Sequence, residues 1–248
     1  MIDLHLHIVP EVDDGSQSLE ESLEMAKIAL ASGADQVVAT PHCNHPFRSR
    51  GYSCEELESR LDDFRKELKG HNIPLTVYDG MEIFVNENTG RLIREGNLFG
   101  LNYGKYYLLE FPFEAEPAWI DEMLDEIASP NVIPLIAHVE RYECAQREPQ
   151  LIYRWLRGGC EIQVNKGSFF GQFGRAAQQT AVTALKNGLV TCIASDAHDP
   201  EERSPWMKDI ADYITKYYNN KITTLLLKEY PERILAGRSI PEHGQRPL

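Results

Sequence analysis

Hydrophobic and polar residues alternate from the second residue of the chain. Apolar side chains at positions 2, 4, 6 and 8 are interleaved with Asp3, His5 and His7. This period of two predicts a β-strand that carries both histidines on one face. Two imidazoles placed in this way can share a metal ion, or they can form the wet face of a half-buried strand. The residues further along the chain decide between these two interpretations.

The pattern then alternates between helix-like and strand-like segments. Ser18 with Glu21, and Ser53 with Glu56, have the spacing of a capping box, and Gly33 is placed to end the first helix. The periodicity predicts helices at 18–32, 53–70, 118–128, 151–157, 176–186, 207–217 and 222–228. It predicts further strands at 36–40, 75–78, 106–111, 132–137, 161–164 and 190–194, although a proline at position 134 is unfavourable within a strand.

About seven strands that alternate with helices predict an α/β protein with a parallel sheet. At 248 residues, a closed or nearly closed barrel is favoured over an open sheet. We expect one domain over residues 1–248, with a loose polar tail from about residue 237. The glycine-rich motifs of nucleotide-binding folds are missing from the sequence. In a parallel barrel, functional residues lie at the carboxyl ends of the strands.

The composition of the chain argues against some kinds of binding partner. The net charge of −13 and the pI of about 5.1 argue against broad contacts with nucleic acid or an anionic membrane. No apolar run approaches the ~20 residues of a membrane span, and the N-terminal segment does not resemble a signal peptide. Five scattered cysteines without a Cys-x-x-Cys pair are typical of reduced thiols. We therefore expect a cytoplasmic protein that neither binds nucleic acid nor inserts into membranes.

Side chains that can bind metal accumulate at the predicted strand ends. Five of the eight histidines and four carboxylates fall there, namely His5, His7, Asp14, His42, Glu82, Glu110, His138, Asp196 and His198. Buried imidazoles and carboxylates need partners, and metal coordination would supply them. The set exceeds the needs of one ion, and its lack of thiolates leaves zinc, manganese and iron open. Clustered metals imply hydrolysis, because they lower the pKa of a bound water and clamp a phosphoryl group.

Several other polar or aromatic residues have simpler interpretations. Asp3 is expected to orient a ligand imidazole rather than to bind metal itself. His45 either lines the mouth of the site or lies on the surface, whereas His71 and His243 are expected on the surface. The aromatic, glycine-flanked loop 168–174 either covers the barrel or contacts the substrate.

A thiol mechanism is a further alternative. Cys54 and Arg60 have the Cys-x5-Arg spacing of thiol phosphatases. Three glutamates between them would repel phosphate, and the segment is a predicted helix without the glycines that let backbone amides hold an anion. The sequence therefore disfavours this alternative.

The strand-end residues fall in six short segments, at 2–7 with 13–15, 38–42, 80–83, 108–112, 137–142 and 195–198. Together these segments resemble the polymerase and histidinol phosphatase (PHP) superfamily. Within it, the chain is similar to the bacterial tyrosine-protein phosphatases of the CpsB/CapC/YwqE type. Leu-Glu-Phe-Pro and His-Val-Glu-Arg-Tyr are the sequences that separate this branch from histidinol phosphatases.

The resemblance implies a distorted (β/α)7 barrel that holds three metal ions. Manganese is the expected metal, with iron, zinc or magnesium as alternatives. By position, the ligands of the first ion would be His5, His7, Glu82 and Asp196. Glu82 would bridge to a second ion, whose other ligands would be Glu110 and His138, and the third ion would be bound by Asp14, His42 and His198. Arg141 and Arg203 match the positions where family members place guanidinium groups on the substrate phosphate.

The resemblance further implies a metal-dependent protein-tyrosine phosphatase, in which a metal-activated hydroxide attacks phosphorus directly. The expected substrate is a phosphotyrosine protein, in particular the C-terminal tail of an autophosphorylated bacterial tyrosine kinase that regulates capsule or exopolysaccharide synthesis. A small-molecule phosphatase similar to histidinol phosphatase, or a phosphodiesterase, is the alternative on the same site. A non-catalytic module that binds a kinase tail is disfavoured, because binding alone does not require three metals.

Overall fold

A computed structural model describes residues 1–48 and 51–241 of the chain. Within these ranges the strands are Ile2–Leu6 (β1), Gln36–Ala39 (β2), His42–Cys43 (β3), Thr76–Asp79 (β4), Glu82–Phe84 (β5), Tyr106–Glu110 (β6), Ile133–Ile136 (β7), Glu161–Asn165 (β8) and Cys192–Ala194 (β9). The helices are Leu19–Ala31 (α1), Cys54–Gly70 (α2), Thr89–Arg94 (α3), Pro117–Ile127 (α4), Glu143–Arg147 (α5), Gln150–Arg157 (α6), Lys166–Phe169 (α7), Gly174–Lys186 (α8), Lys208–Tyr217 (α9), Asn220–Thr224 (α10) and Tyr230–Leu235 (α11). Short 3₁₀ turns occupy Leu101–Tyr103 and Val139–Arg141, and a π turn occupies Leu225–Glu229.

The first two helices begin where their capping residues predict. At α2 the box is complete, because Ser53 Oγ accepts the N–H of Glu56 and the Glu56 carboxylate accepts the N–H of Ser53. At α1 only half of the predicted box forms. Ser18 Oγ accepts the N–H of Glu21 at 3.2 Å, but the Glu21 carboxylate accepts the N–H of Gln17, at 2.6 Å. Both helices therefore still satisfy backbone donors of their first turn with side chains.

The strands form a curled parallel sheet. Hydrogen bonds connect them in the orders β1–β2–β4 and β3–β5–β6–β7–β8–β9. Beyond β9, the N–H of Asp196 donates to the carbonyl of His5 and the N–H of His7 donates to the carbonyl of Ala197, both at 2.8 Å. The end of β9 therefore returns to β1. Apolar side chains from β1, β2, β6, β7 and β9 meet in one buried cluster, which requires the sheet to curl around them.

An irregularity in β1 modifies the alternation expected from the sequence. The register between β1 and β2 shifts between Asp3 and Leu6. As a result Leu4 packs in the cluster inside the curl, whereas Leu6 packs in the larger cluster that includes side chains of the helices. His5 and His7 are both fully buried, which excludes the wet face of a half-buried strand.

Pro134 is tolerated in β7 because of its position. Ile133 donates its N–H to Lys105, just before β6, so the next backbone nitrogen faces the other neighbour, β8. Pairing between β7 and β8 starts only at Leu135. The missing N–H of Pro134 therefore removes no hydrogen bond from the ladder.

The last part of the described chain differs from the sequence prediction. The helix expected at 222–228 is the middle of a longer helical run formed by α10, the π turn and α11. The beginning of the expected loose tail is held, because Tyr106 Oη donates to the carbonyl of Arg238 and Arg233 Nε donates to that of Ser239, both at 2.7 Å. The rest of that tail, residues 242–248, lies outside the described residues. In the described part of the chain, every helix is too short or too polar to cross a bilayer.

Candidate metal centre

The ligand-type side chains selected from the sequence meet at the carboxyl ends of the strands. All of them are buried except Asp14, whose side chain is 44% exposed at the mouth of the site. His138 and Asp196 adopt left-handed backbone conformations, with φ of 32° and 52°. Such conformations are costly for residues other than glycine, and they persist where the geometry of a functional site requires them. Three overlapping groups have ligand atoms within 4.8 Å of one another: His5, His7 and Asp196; His7, Asp14, His42 and His198; and His42, Glu82 and Glu110.

In the first group, the Nε2 atoms of His5 and His7 face each other and two carboxylates. Their Nε2 atoms are 3.3 Å apart, and Glu82 Oε1 and Asp196 Oδ1 lie 3.3 and 3.4 Å from His5 Nε2. Glu82 also reaches the second ring, with its Oε2 atom 3.3 Å from His7 Nε2. At most one proton fits between the two imidazole nitrogens, whereas a cation can accept a lone pair from each.

The second group is centred on Asp14, nearer the mouth. Asp14 Oδ1 is 3.3 Å from His42 Nε2 and 3.5 Å from His198 Nε2. The ring of His7 packs against those of His198 and His42, with centroid separations of 4.0 and 4.5 Å. One ligand atom from each of these four residues lies within 4.8 Å of the others. A single ion is therefore within reach of all four side chains.

The third group contains His42 with Glu82 and Glu110, whereas the expected ligand His138 falls outside the group and lies beside it. His42 Nδ1 lies 2.8 Å from Glu82 Oε2 and 3.6 Å from Glu110 Oε2. His138 Nε2 approaches the same two carboxylates, at 2.8 Å from Glu82 Oε1 and 3.8 Å from Glu110 Oε1. His42 thus faces the third group with one ring nitrogen and Asp14 with the other, so a single imidazole connects two groups.

Unpartnered polar atoms indicate that this set of residues fits cations. Among the described residues, His42 Nδ1, Glu82 Oε2, Glu110 Oε2 and His198 Nε2 are buried and make no well-aligned hydrogen bond, although His42 Nδ1 and Glu82 Oε2 are only 2.8 Å apart. Burial and the nearby Glu82 carboxylate raise the pKa of Glu110 to about 8. Crowded carboxylates and unsatisfied lone pairs are costly in a protein interior unless positive charge compensates them. Imidazole nitrogen and carboxylate oxygen are ligands of zinc, manganese and iron, so the donor set suits such ions.

Asp13 fixes the orientation of His7, a role that the sequence analysis missed. Its Oδ2 atom lies 2.6 Å from His7 Nδ1 and accepts the backbone N–H of His42 at 2.9 Å. Its Oδ1 atom accepts the N–H of Gly15 at 3.0 Å. Since the carboxylate only accepts, His7 Nδ1 carries a proton and the Nε2 lone pair faces the cluster. A Cβ atom on Gly15 would overlap His7, so the turn closes only with glycine there.

Gln163 and Asn165, at the end of β8, form a hydrogen-bonded chain between ligands. Gln163 Oε1 accepts the backbone N–H of His138 at 2.9 Å and lies 3.2 Å from His5 Nδ1. His5 Nδ1 must therefore donate, which leaves its Nε2 lone pair facing the cluster. Gln163 Nε2 donates to Asn165 Oδ1 at 2.8 Å, and Asn165 Nδ2 donates to Asp196 Oδ2 at 2.6 Å. The sequence placed both residues at a strand end without indicating this role.

Asp3 and His71 make no contact with the rings of the candidate ligands in the interactions described. Asp3 Oδ1 accepts the N–H of Ser195 at 3.0 Å and that of His5 at 3.4 Å. It therefore joins the ends of β1 and β9, and the expectation that it orients an imidazole is wrong. His71 is exposed at the C-terminal end of α2, as expected. His243 lies outside the described residues.

The two arginines predicted to bind phosphate lie beside Asp196. Asp196 Oδ2 is 3.5 Å from Arg141 Nη1 and 2.6 Å from Arg203 Nη2. The Arg141 guanidinium is sandwiched between the rings of Phe113 and Phe173, at 4.3 and 4.4 Å from their centroids. Phe173 also lies 5.7 Å from the Arg203 guanidinium. Stacking of this kind holds a cation without using its hydrogen-bond donors, so the aromatic loop selected from the sequence supports both arginines.

A third arginine at the mouth, Arg48, was not recognised in the sequence. Its Nε atom lies 3.5 Å from Asp14 Oδ2, and its Nη1 atom lies 3.8 Å from Glu110 Oε1. His45, from the same loop, lines the mouth, because its ring centroid is 5.4 Å from that of the ligand His42. The loop has neither a periodic pattern nor a motif, so the sequence offered no signal for Arg48.

The thiol alternative does not fit the geometry. Cys54 lies at the start of α2, where its Sγ atom is 3.1 Å from the carbonyl oxygen of Asn97. Burial and the nearby Glu58 carboxylate raise the pKa of its thiol, which opposes formation of a nucleophilic thiolate. The Arg60 guanidinium stacks on the ring of Tyr52, at 4.4 Å, instead of forming an anion site with the thiol.

A curled parallel α/β sheet with clustered imidazoles and carboxylates at its carboxyl edge defines a class of protein that can hold several divalent ions for hydrolysis. Within that class, the chain belongs to the family described as "Capsular polysaccharide synthesis, CpsB/CapC", whose profile matches residues 1–236.

Individual relatives match the chain over nearly its whole length. It is 30% identical over 249 residues to the tyrosine-protein phosphatase YwqE of Bacillus subtilis (strain 168), covering 100% of this chain and 96% of that protein. It is 29% identical over 248 residues to the tyrosine-protein phosphatase CpsB of Streptococcus pneumoniae, covering 97% and 100%. A solved structure from work on these two proteins, termed unique metal-dependent tyrosine phosphatases, matches with a TM-score of 0.92 and 29% identity, over 100% of this chain and 99% of that chain.

Proposed function

We propose that this protein is a metal-dependent protein-tyrosine phosphatase. The observation that carries the proposal is the convergence of buried imidazoles and carboxylates beside two guanidinium groups, which together suit a phosphate ester held on several cations. The names of the relatives YwqE and CpsB point to phosphotyrosine rather than to another ester.

We assign three ions to the ligand groups, with manganese as the expected metal and iron, zinc or magnesium as alternatives. The ligands would be His5, His7, Glu82 and Asp196 for the first ion, Glu82, Glu110 and His138 for the second, and Asp14, His42 and His198 for the third. When bound, such ions lower the pKa of water, so that hydroxide is available to attack phosphorus directly at neutral pH. The assignment is supported by proximity, because Glu82 Oε1 lies 3.3 Å from His5 Nε2 and 2.8 Å from His138 Nε2, and Asp14 Oδ1 lies 3.3 and 3.5 Å from the Nε2 atoms of His42 and His198.

The protein's own cations would hold the phosphate. The side chains of Arg141 and Arg203 are 19% and 25% exposed, so a ligand at the mouth can reach both. Each guanidinium can offer two parallel N–H donors to phosphate oxygens, and these bonds strengthen as negative charge moves onto the oxygens. Phe113 and Phe173 keep the Arg141 guanidinium in place, so little reorganisation is needed when the ester bond breaks.

The proposed substrate is a phosphotyrosine side chain on a protein, in particular in the C-terminal tail of a bacterial tyrosine kinase. Support comes from the exposed Asp14 and the partly exposed arginines, because a peptide can reach a ligand cluster only if the cluster opens to the surface. The family's connection with capsular polysaccharide synthesis supports a kinase that regulates this process as the source of the tail.

The remaining proposals concern the architecture and the compartment. If β2 with β3, and β4 with β5, are each counted as one interrupted strand, the sheet corresponds to a distorted (β/α)7 barrel. We propose that it forms one domain, and the family match over residues 1–236 supports this. All five cysteines lie in the described ranges as free thiols, which supports a cytoplasmic location.

The test is a phosphatase assay on protein stripped of metal and then supplied with manganese, iron, zinc or magnesium. The substrates are a phosphotyrosine peptide, histidinol phosphate and a dinucleotide. We expect metal-dependent hydrolysis that is fastest with manganese and the phosphotyrosine peptide. Preference for histidinol phosphate or the dinucleotide would establish the small-molecule alternative. Hydrolysis that survives complete removal of metal would refute the metal mechanism.

A further inference from the structure

We propose that Arg48 is a third phosphate-binding guanidinium of this site, which acts together with Arg141 and Arg203. The inference rests on the proposed phosphatase function and extends it to a residue that the sequence motifs do not include.

Arg48 lies at the mouth, on the loop after β3. Its Nη1 atom is 3.5 Å from His42 Nε2 and 3.8 Å from Glu110 Oε1, and its Nε atom is 3.5 Å from Asp14 Oδ2. These three residues belong to the second and third ligand groups. None of the separations is that of a tight hydrogen bond, so the guanidinium is close to the ligands without being committed to one of them.

The backbone that carries Arg48 is anchored to the sheet. His45 Nδ1 accepts the N–H groups of Phe47 and Arg48, at 3.1 and 3.0 Å. The His45 ring packs on Phe84, at the end of β5, with a centroid separation of 4.5 Å. Asn44 Nδ2 donates to the carbonyl of Phe84 at 2.9 Å. Because the turn is already ordered, less conformational entropy is lost when Arg48 binds a ligand.

The charges around Arg48 indicate what it binds. Asp14 and Glu110 are proposed metal ligands, so bound cations would take up their negative charge and leave Arg48 in need of another anion. A phosphate group supplies that anion, and a guanidinium matches its oxygens with paired donors. Arg141 and Arg203 follow β7 and β9 and lie beside a different carboxylate. Guanidiniums from three separate loops therefore lie beside side chains of one ligand cluster, and we propose that they share a phosphate bound there.

The test measures binding of phosphate separately from turnover. Arg48→Ala, Arg48→Lys and a control variant, Arg60→Ala, are loaded with manganese, and their metal content is determined. Arg60 is a matched control because it lies nearby in the sequence but stacks on Tyr52 instead. Affinity for inorganic phosphate is then measured by calorimetry and as inhibition of phosphotyrosine-peptide hydrolysis.

We expect Arg48→Ala to keep its metal ions and to bind phosphate about 10- to 100-fold more weakly than the wild type. Arg48→Lys should recover part of the affinity, because it keeps the charge but loses the paired donors. Arg60→Ala should match the wild type. If Arg48→Ala fails to fold, Arg48→Gln and Arg48→Lys provide the same comparison.

Two results would overturn the proposal. One is wild-type phosphate affinity in Arg48→Ala with its metal ions in place. The other is loss of metal ions from this variant, since Arg48 would then act by stabilising the ligand cluster. A wild-type protein that binds phosphate through Arg48 but does not hydrolyse phosphotyrosine would contradict the proposed function and leave the role of Arg48 intact.

Discussion

The contact between Asp13 and His7 allows a direct test of how the ligand cluster is built. Asp13→Asn keeps the shape of the side chain but replaces one oxygen with an NH2 group. Asp13 uses both oxygens as acceptors, Oδ2 for His7 Nδ1 and the N–H of His42, and Oδ1 for the N–H of Gly15. In either orientation, an asparagine NH2 group at position 13 must therefore face at least one of these donors.

The two orientations damage the site in different ways. With the NH2 group toward His7, Nδ1 must accept, so the ring proton moves to Nε2 and the lone pair that faces the cluster is lost. With the NH2 group toward Gly15, one buried N–H is unsatisfied, which costs about 1–3 kcal/mol of stability. In both cases the negative charge that lies 2.6 Å from His7 Nδ1 is lost. Support of this kind is worth about 10- to 100-fold in metal affinity, and His7 is a proposed ligand of the first ion, so binding of that ion should weaken.

The assay is a metal titration of Asp13→Asn and Asp3→Asn by calorimetry or by competition with a chelating dye. Asp3 is the matched control, because it is also a buried aspartate that accepts two backbone N–H groups, but through a single oxygen. Asparagine can keep that oxygen in place, so Asp3→Asn should bind metal as the wild type does. Thermal unfolding of both variants separates loss of metal from loss of fold. Equal metal affinity in Asp13→Asn and the wild type, or equal losses in both variants, would refute the reasoning.

Three further predictions follow from the site and the core. Arg141→Ala and Arg203→Ala should keep their metal ions but lose about 10²–10³ in kcat/KM on a phosphotyrosine peptide, whereas His138→Ala should lose metal as well. Metal stoichiometry and kcat/KM measured on the same preparations check this prediction. Cys54→Ser should leave turnover unchanged, and a variant that is folded, metal-loaded and inactive would restore a thiol nucleophile. Burial raises the pKa of Glu161 from 4.5 to about 7, so the folded state holds the proton more tightly than the unfolded state. Wild-type stability should therefore fall as the pH rises from about 4.5 through about 7, and that of Glu161→Gln should fall less, as thermal unfolding across this range would show.

The candidate ligands could be selected from the sequence because parallel strands end at one edge of a sheet. A residue such as Glu110 or Asp196 needs only to follow a recognisable apolar strand to be placed at that edge. The division of the ligands into groups could not be selected in this way. It depends on which ring nitrogen points where, and His42 faces two groups with its two nitrogens. The spacing of residues along the chain carries no information about how each imidazole ring is oriented.

The residues missed in the sequence act through contacts between distant parts of the chain. Gln163 supports His5, which is 158 residues away, and Asp13 accepts from the backbone of His42, which is 29 residues away. Neither contact has a local pattern. The short strands β3 and β5, which follow the second and third predicted strands after an interruption, were not predicted, and they also depend on tertiary packing. A Cβ atom on Gly80, between β4 and β5, would overlap the side chain of Val38 on the neighbouring strand β2, so side chains of other elements fill the space beside this interruption.

The tautomers of the cluster histidines bear on what the site can do. In His5, His7 and His198, the Nδ1 atom faces an acceptor, respectively Gln163 Oε1, Asp13 Oδ2 and the backbone carbonyl of Asp196. Each of these rings therefore donates outward and turns an Nε2 lone pair toward the cluster. A histidine that shuttles protons in catalysis would need that inner nitrogen free to gain and lose a proton beside the substrate. Three fixed lone pairs directed at shared carboxylates instead favour cations as the reactive groups, which agrees with the proposal that the arginines at the mouth bind phosphate.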